Sequence, residues 1–217
     1  MGDRKVLPTG KWRSTWVFAT MLMIAAALIP LRPGTAHAQW CAEVDVVVAR
    51  GTGEPGWLGD VVGNQLYGYL QDRLPRTTSA YSVSYPADYS FNLGWGSSDL
   101  VSHLTAQAAE CPGQAFVLVG YSQGAAVIHA ALGTGAVSWY PNRSQLPAYL
   151  ADHVAAILLF GDPMEAIGWS VPGAYLGRTG SWCTSGDPIC GSGSNYYAHV
   201  SYSDSFVAAA NFAAYRI

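Results

Sequence analysis

At residues 115–124 the sequence reads Ala-Phe-Val-Leu-Val-Gly-Tyr-Ser-Gln-Gly, and an Ala-rich stretch follows at once. The five apolar residues predict a buried strand, and the stretch from Gln123 to Leu132 predicts a helix. The pattern Gly-x-Ser-x-Gly around Ser122 is weak by itself. Between a strand and a helix, however, it predicts a tight turn whose flanking glycines let the serine hydroxyl project. We therefore expect Ser122 to be a nucleophile at the carboxyl end of a central strand.

Strand and helix patterns alternate along the rest of the chain. Apolar runs predict further strands at Val44–Ala49, Tyr81–Tyr85, Val154–Phe160 and, more weakly, Arg178–Cys183. Helical patterns cover Gly59–Leu74, Ser97–Glu110 and Ser203–Tyr215. This alternation predicts a three-layer α/β/α sandwich with a mainly parallel sheet of about five strands. Its ligand site should lie at the carboxyl ends of those strands.

The first 38 residues have the layout of a secretory signal peptide. Basic residues precede an apolar run from Trp16 to Leu31, and the tripeptide Ala36-His37-Ala38 follows. A membrane anchor is the alternative, but the run is shorter than the roughly 20 residues needed to cross a bilayer. We predict cleavage after Ala38, which leaves one domain over residues 39–217, secreted to the medium or associated with the cell wall.

The mature chain is acidic. Residues 39–217 keep 6 Lys and Arg against 13 Asp and Glu, a net charge near −7. Binding to a nucleic-acid backbone needs a basic face, as does attraction to anionic lipid headgroups, so the charge favours neither. We expect a neutral small-molecule substrate.

A serine hydroxyl needs a base to accept its proton, and His199 is the candidate. It lies in Tyr196-Tyr197-Ala198-His199-Val200, a predicted loop before the last helix. The order Ser, acid, His along the chain is that of α/β-hydrolases. The other histidines are excluded by position, because they lie in the signal segment, in predicted helices or at the start of a strand: His37, His103, His129 and His153.

Two acids compete to orient the imidazole. Asp162 directly follows a predicted strand, whereas Asp187 lies 12 residues before His199 between Cys183 and Cys190. We favour Asp187, because a bridge between those cysteines would stiffen its loop. The alternative role for Asp162 is to begin a turn or helix before a proline.

All four cysteines lie after residue 38, at positions 41, 111, 183 and 190. An even number in an exported chain favours two disulfides. The count alone leaves three pairings open, although Cys183 and Cys190 are near enough to close a small loop.

Four features in this order resemble the cutinase family. They are Ala49-Arg50-Gly51-Thr52-Gly53-Glu54 after the first strand, the Gly-Tyr-Ser-Gln-Gly pentapeptide, Asp187 between two cysteines, and His199. The resemblance runs from Cys41 to the C-terminus. It implies a lidless α/β-hydrolase that hydrolyses carboxylic esters without metal or cofactor. It also implies the pairings Cys41–Cys111 and Cys183–Cys190.

The resemblance further implies the groups that stabilise the oxyanion. The turn geometry already directs the N–H of Gln123 toward it, and Thr52 occupies the family's second donor position. Fungal members usually carry serine there, so the threonine methyl is expected to narrow the pocket.

The predicted site residues are compatible with several ester substrates. We expect a monomer that acts on short- to medium-chain acyl esters and contacts lipid or polyester surfaces only transiently. A lipase, phospholipase or acyltransferase would use the same residues, and a non-catalytic binding protein on this scaffold is the alternative of another class. Tyr196, Tyr197 and Val200 are candidates for an acyl groove. Among the aromatic residues between the strands, a minority is expected to line that groove and most are expected in the core: Trp57, Tyr85, Phe91, Trp95, Trp169 and Tyr175.

Overall fold

A computed structural model describes residues 1–2 and 41–217, so nearly all of the predicted signal peptide lies outside the described residues. One five-stranded sheet forms the centre of the domain, in the order β2-β1-β3-β4-β5, and every neighbouring pair is parallel. The strands are β1 (Val44–Ala49), β2 (Thr78–Ser82), β3 (Ala115–Tyr121), β4 (Val154–Phe160) and β5 (Thr179–Trp182).

Helices cover both faces of this sheet. They are α1 (Gly63–Arg73), α2 (Leu93–Glu110), α3 (Gln123–Leu132), α4 (Pro163–Ala166), α5 (Gly173–Leu176), α6 (Tyr196–His199) and α7 (Phe206–Ala214). Short 3₁₀ turns lie at Gly135–Val137, Ala148–His153 and Ser203–Ser205. Side chains of α1 and α7 share one apolar core with alternate residues of β1, and α2 and α3 share another with the residues between. The predicted three-layer α/β/α architecture is confirmed.

The second strand was predicted three residues too late. β2 spans Thr78–Ser82 at the sheet edge, where every residue is only half-buried, so polar side chains are tolerated. The apolar residues that prompted the prediction, Val83 and Tyr85, are buried beyond its end. The N–H of Val83 still donates to the carbonyl of Val48 at 2.9 Å, which continues the pairing past the strand.

Helix α2 begins at Leu93, four residues before the predicted start. Gly94 and Gly96 weaken the helical pattern of this first turn. Both are needed for close packing, since a Cβ atom on Gly94 would lie 2.1 Å from the carbonyl oxygen of Pro141, and one on Gly96 would lie 2.8 Å from Val127 Cγ1.

Among the helices described in residues 41–217, none is both long enough and apolar enough to cross a bilayer.

Candidate active site

Ser122 lies on a strained turn between β3 and α3. Its backbone has φ 53° and ψ −117°, a conformation that side-chain-bearing residues rarely adopt. The N–H of Ser122 donates to the carbonyl of Phe160 at 2.9 Å, which ties the turn to β4. Glycine is required on both sides: a Cβ on Gly120 would lie 2.7 Å from Ala125 Cα, and one on Gly124 would lie 1.9 Å from the Ala49 carbonyl. The sequence pattern therefore has a steric cause in this fold.

Three of the predicted residues are joined by hydrogen bonds. Ser122 Oγ lies 2.9 Å from His199 Nε2, and His199 Nδ1 lies 2.7 Å from Asp187 Oδ2. Ser122 and His199 are partly exposed to solvent, whereas Asp187 is buried. His199 ends the one-turn helix α6 rather than lying in a loop, and the side chain of Asn195 caps that helix. The arrangement offers a serine, a base and a buried carboxylate in series.

The Asp187 carboxylate is held by three donors. Besides His199, it accepts the N–H of Ile189 at 2.7 Å and the hydroxyl of Tyr202 at 2.5 Å. Burial alone would raise the pKa of Asp187, but the hydrogen bonds from Tyr202, His199 and Ile189 hold that pKa below its ordinary value. Asp187 is therefore ionised at neutral pH. Sequence reasoning missed Tyr202, although its position three residues after His199 was visible.

Asp162, the competing acid, binds a different histidine. Its Oδ2 lies 2.8 Å from His129 Nε2, and His129 Nδ1 lies 2.9 Å from the hydroxyl of Thr134. The other carboxylate oxygen accepts the N–H of Met164 at 2.9 Å and caps α4, whose first residue is Pro163. Asp162 thus has the helix-start role that its Asp-Pro sequence allowed.

The loop after β1 is fixed by a buried glutamate that sequence reasoning left without a role. Glu54 accepts the N–H of Gly51 at 2.5 Å and the N–H of Val61 at 2.7 Å, so one carboxylate joins both ends of the loop. Burial raises the pKa of Glu54 in spite of these bonds. The nearby Arg50 donates from Nη2 to the carbonyl of Tyr85 at 2.9 Å. The loop that carries Thr52 is therefore held from several sides.

Thr52 and Gln123 lie together beside Ser122. The Thr52 hydroxyl donates to Gln123 Oε1 at 3.2 Å, and Gln123 Nε2 donates to the carbonyl of Asp88 at 3.1 Å. The backbone N–H groups of Thr52 and Gln123 have no hydrogen-bond partner within residues 41–217. Two unpaired donors next to a serine hydroxyl are what an oxyanion requires.

A groove of about 680 Å³ opens at Ser122 and His199. Its aromatic lining consists of Tyr89, Phe91, Tyr121, Trp139, Tyr140 and Tyr196. Val200 also lines it, as predicted, but Tyr197 is 82% exposed and does not. The expectation that most of the six aromatic residues between the strands lie in the core was wrong. Tyr85 and Tyr175 are buried, whereas the other four are exposed: Trp57, Phe91, Trp95 and Trp169. Of these four, Phe91 lines the groove. No lysine or arginine is among the described lining residues, so the groove suits a neutral, apolar ligand.

A parallel α/β sheet with a serine on a strained turn after a central strand, followed by an aspartate and a histidine, is the architecture of the α/β-hydrolases. Comparison with known proteins narrows this class. The family model described as Cutinase matches residues 40–217. The chain therefore belongs to the cutinase family, and it is a carboxylic ester hydrolase.

Three relatives show the extent of the similarity. Carboxylesterase Culp1 of Mycobacterium tuberculosis is 40% identical over 215 residues, which cover 93% of this chain and 93% of the relative. Phospholipase Culp4 of the same organism is 35% identical over 226 residues, covering 96% of each chain. A solved structure of Trichoderma reesei cutinase with a phosphonate inhibitor is 31% identical, with a TM-score of 0.65, covering 80% of this chain and 75% of that one.

Proposed function

We propose that this chain is a secreted serine esterase that cleaves short- to medium-chain acyl esters through an acyl-enzyme. The observation that carries the proposal is the hydrogen-bonded series Ser122–His199–Asp187 at the mouth of an apolar groove. Residues 1–38 serve as the export signal in this proposal, and the mature enzyme begins at Gln39.

The reaction has two halves. Ser122 Oγ attacks the ester carbonyl carbon while His199 Nε2 takes the hydroxyl proton, and the tetrahedral intermediate then expels the alcohol, which receives that proton. Water repeats the sequence against the acyl-enzyme and releases the carboxylic acid. Asp187 keeps the proton of the neutral imidazole on Nδ1 and stabilises the imidazolium, without itself being protonated.

Thr52 and Gln123 are the residues proposed to stabilise the negative oxygen that forms in each half of the reaction. Their unpaired N–H groups are the proposed donors, and one such donor is worth about 3 kcal/mol in the transition state. The Thr52 hydroxyl becomes a third donor if it turns from Gln123 Oε1 toward the oxyanion. Glu54 supports this role because it fixes the loop before the substrate arrives.

The groove favours a neutral ester over a phospholipid. Apart from tyrosines, the ionisable groups of its described lining are Glu54 and His199, so a lipid phosphate would meet no fixed cation there. The similarity to a protein named phospholipase nevertheless makes phospholipid hydrolysis the second candidate.

The test is hydrolysis of p-nitrophenyl esters from acetate to palmitate by the chain from Gln39, with phosphatidylcholine vesicles as a second arm. We expect activity that is highest for short or medium chains, and Ser122→Ala should lose at least about 10³-fold in kcat. A phosphonate ester should label Ser122 in the wild type, as read by mass spectrometry. Faster release of fatty acid from the vesicles than from any simple ester would support phospholipid hydrolysis, the second candidate function. Absence of both turnover and labelling in folded, oxidised protein would refute the enzyme mechanism.

Export has its own test. We expect the chain to be recovered from the culture medium of an actinobacterial host with Gln39 as its first residue. Recovery of the intact N-terminus in the cell membrane would instead support the anchor alternative.

A further inference from the structure

The hydroxyl of Tyr202 binds the same carboxylate oxygen as His199. Tyr202 Oη lies 2.5 Å from Asp187 Oδ2, and His199 Nδ1 lies 2.7 Å from that atom. Tyr202 comes only three positions after His199, so one short segment holds Asp187 with two side chains. The hydrogen bond is buried, because Asp187 and Tyr202 are each 1% exposed. Water is therefore unable to replace the Tyr202 hydroxyl freely.

The ring of Tyr202 is fixed by its surroundings. It packs edge-on against Phe160, with ring centres 5.7 Å apart at 84°, and against Tyr121 at 6.0 Å. Its hydroxyl lies 3.5 Å from Cys190 Sγ, at the disulfide that closes the Asp187 loop. Burial and the hydrogen bond to Asp187 raise the pKa of Tyr202, so the hydroxyl stays protonated and donates. The hydroxyl therefore donates to Asp187 at neutral pH.

A second donor on Oδ2 changes what His199 receives from Asp187. A hydrogen bond to a carboxylate stabilises its charged form and lowers its basicity. The imidazolium of His199 is then stabilised less than it would be by an otherwise free oxygen. Removing the Tyr202 hydroxyl should therefore leave more of the Asp187 charge to stabilise the imidazolium of His199.

We propose that Tyr202 is a positioning residue of the active site, whose hydroxyl fixes the Asp187 carboxylate and extends the activity toward acidic pH. This inference rests on the proposed function, because it assigns the role through Asp187 and His199. Tyr202 itself touches no substrate, since it is buried behind the carboxylate.

Other ionisable groups face the same histidine. The ring of Tyr121 lies 5.2 Å from that of His199, and its hydroxyl donates to the His199 carbonyl at 2.7 Å. Burial, then the charges of Glu54 and Asp187, raise the pKa of Tyr121, so it stays neutral. Glu54 is an acid with a raised pKa, its charge acts on Tyr121, and it lines the same groove as His199, so its titration could also affect the pH profile of kcat/KM. The experiment therefore has to observe His199 directly as well as the rate.

The test compares Tyr202→Phe with the wild type by kcat/KM against pH and by NMR titration of the His199 ring protons. We expect the acidic limb and the ring-proton transition both to move to higher pH by roughly half a unit, and kcat to fall roughly threefold or more. Tyr81→Phe is the matched control, because Tyr81 also donates to a carboxylate, Asp99 Oδ2 at 2.9 Å, on the edge strand β2. The control should leave both midpoints unchanged.

Unchanged midpoints in folded Tyr202→Phe would overturn the inference, whatever the loss in kcat. If that variant fails to fold, 3-fluorotyrosine in place of Tyr202 keeps the shape and makes the hydroxyl a stronger donor, and the ring-proton transition should then move to lower pH. No movement, or movement to higher pH, would again overturn it. The NMR titration needs no turnover, so an inactive protein would refute the proposed function without deciding the role of Tyr202.

Discussion

Two buried aspartates at the carboxyl edge of the sheet each bind a histidine, yet only one of those histidines reaches Ser122. His199 connects Asp187 to Ser122 Oγ, whereas His129 connects Asp162 to the hydroxyl of Thr134. The pairs have the same chemistry and nearly the same distances, 2.7 and 2.8 Å. In the proposed mechanism, proximity to Ser122, rather than burial or pairing, distinguishes the catalytic aspartate–histidine pair from the structural one.

Replacing each aspartate by asparagine should separate the two roles. Asp187→Asn keeps the shape but removes the charge that stabilises the imidazolium, so we expect kcat for p-nitrophenyl butyrate to fall by about 10³-fold or more. Asp162→Asn should leave kcat within roughly threefold but lower the free energy of unfolding in urea by about 1–3 kcal/mol. The reverse pattern, with the large kcat loss at Asp162, would exchange the two assignments.

The sequence predicted those site residues whose patterns are local. Ser122 stands in a five-residue pattern whose glycines have steric causes, and Asp187 lies between two nearby cysteines. Glu54 and Tyr202 were missed as supports, because their roles consist of contacts with backbone groups and a carboxylate that only the fold brings near. Supporting side chains of this kind form no periodic pattern in the sequence from which their contacts could be predicted.

At the scale of elements, α3 lies directly against the carboxyl end of β1. A Cβ on Gly124 would lie 1.9 Å from the Ala49 carbonyl oxygen, a backbone atom that cannot rotate away as a flexible side chain can. By contrast, Gly68 in the middle of α1 is exposed, with no atom within 4 Å of an added Cβ. Replacing these two glycines by alanine should therefore change the stability of the protein in opposite directions.

Alanine at each of these positions provides a matched test. Gly124→Ala should lower the free energy of unfolding by about 3 kcal/mol or more and reduce activity, because α3 carries the N–H of Gln123. Gly68→Ala should raise it by about 0.5–1 kcal/mol with activity unchanged, since glycine in a helix interior costs that much relative to alanine. Urea unfolding measures both, and a tolerated alanine at position 124 would contradict the close approach.

The strands whose residues are buried were the ones predicted accurately from the sequence. The bounds of β1 and β4 were predicted to the residue, because both are interior strands with nearly every side chain buried. The edge strand β2, with the half-buried sequence Thr-Ser-Ala-Tyr-Ser, has no such pattern, and the prediction shifted to the buried Val83 beyond it. Hydrophobic residues indicate which part of the chain is buried. At a sheet edge, the buried residues are not the same as those that form the strand pairing.

For the whole molecule, the two disulfides act at opposite ends of the sheet. Cys41–Cys111 joins residues 70 apart just before β1 and β3 begin, at the amino ends of the strands. Cys183–Cys190 joins residues only 7 apart just after β5, and its loop contains Asp187. A long closed loop restricts the unfolded chain more than a short one. The first bridge should therefore contribute more to stability, and the second more to catalysis.

Removing each bridge by paired Cys→Ser substitutions should affect stability more at one bridge and kcat more at the other. Without Cys41–Cys111, the chain-entropy relation predicts a loss of about 4 kcal/mol in the free energy of unfolding, while kcat of the folded protein stays within roughly twofold. Without Cys183–Cys190, it predicts a smaller loss of about 2–3 kcal/mol, but kcat should fall roughly tenfold or more, because the loop that orients Asp187 toward His199 is no longer constrained. Urea unfolding and p-nitrophenyl butyrate turnover of the two variants measure these effects. Equal kcat in both would mean that the hydrogen bonds of Ile189, His199 and Tyr202 hold Asp187 in place without the covalent bridge.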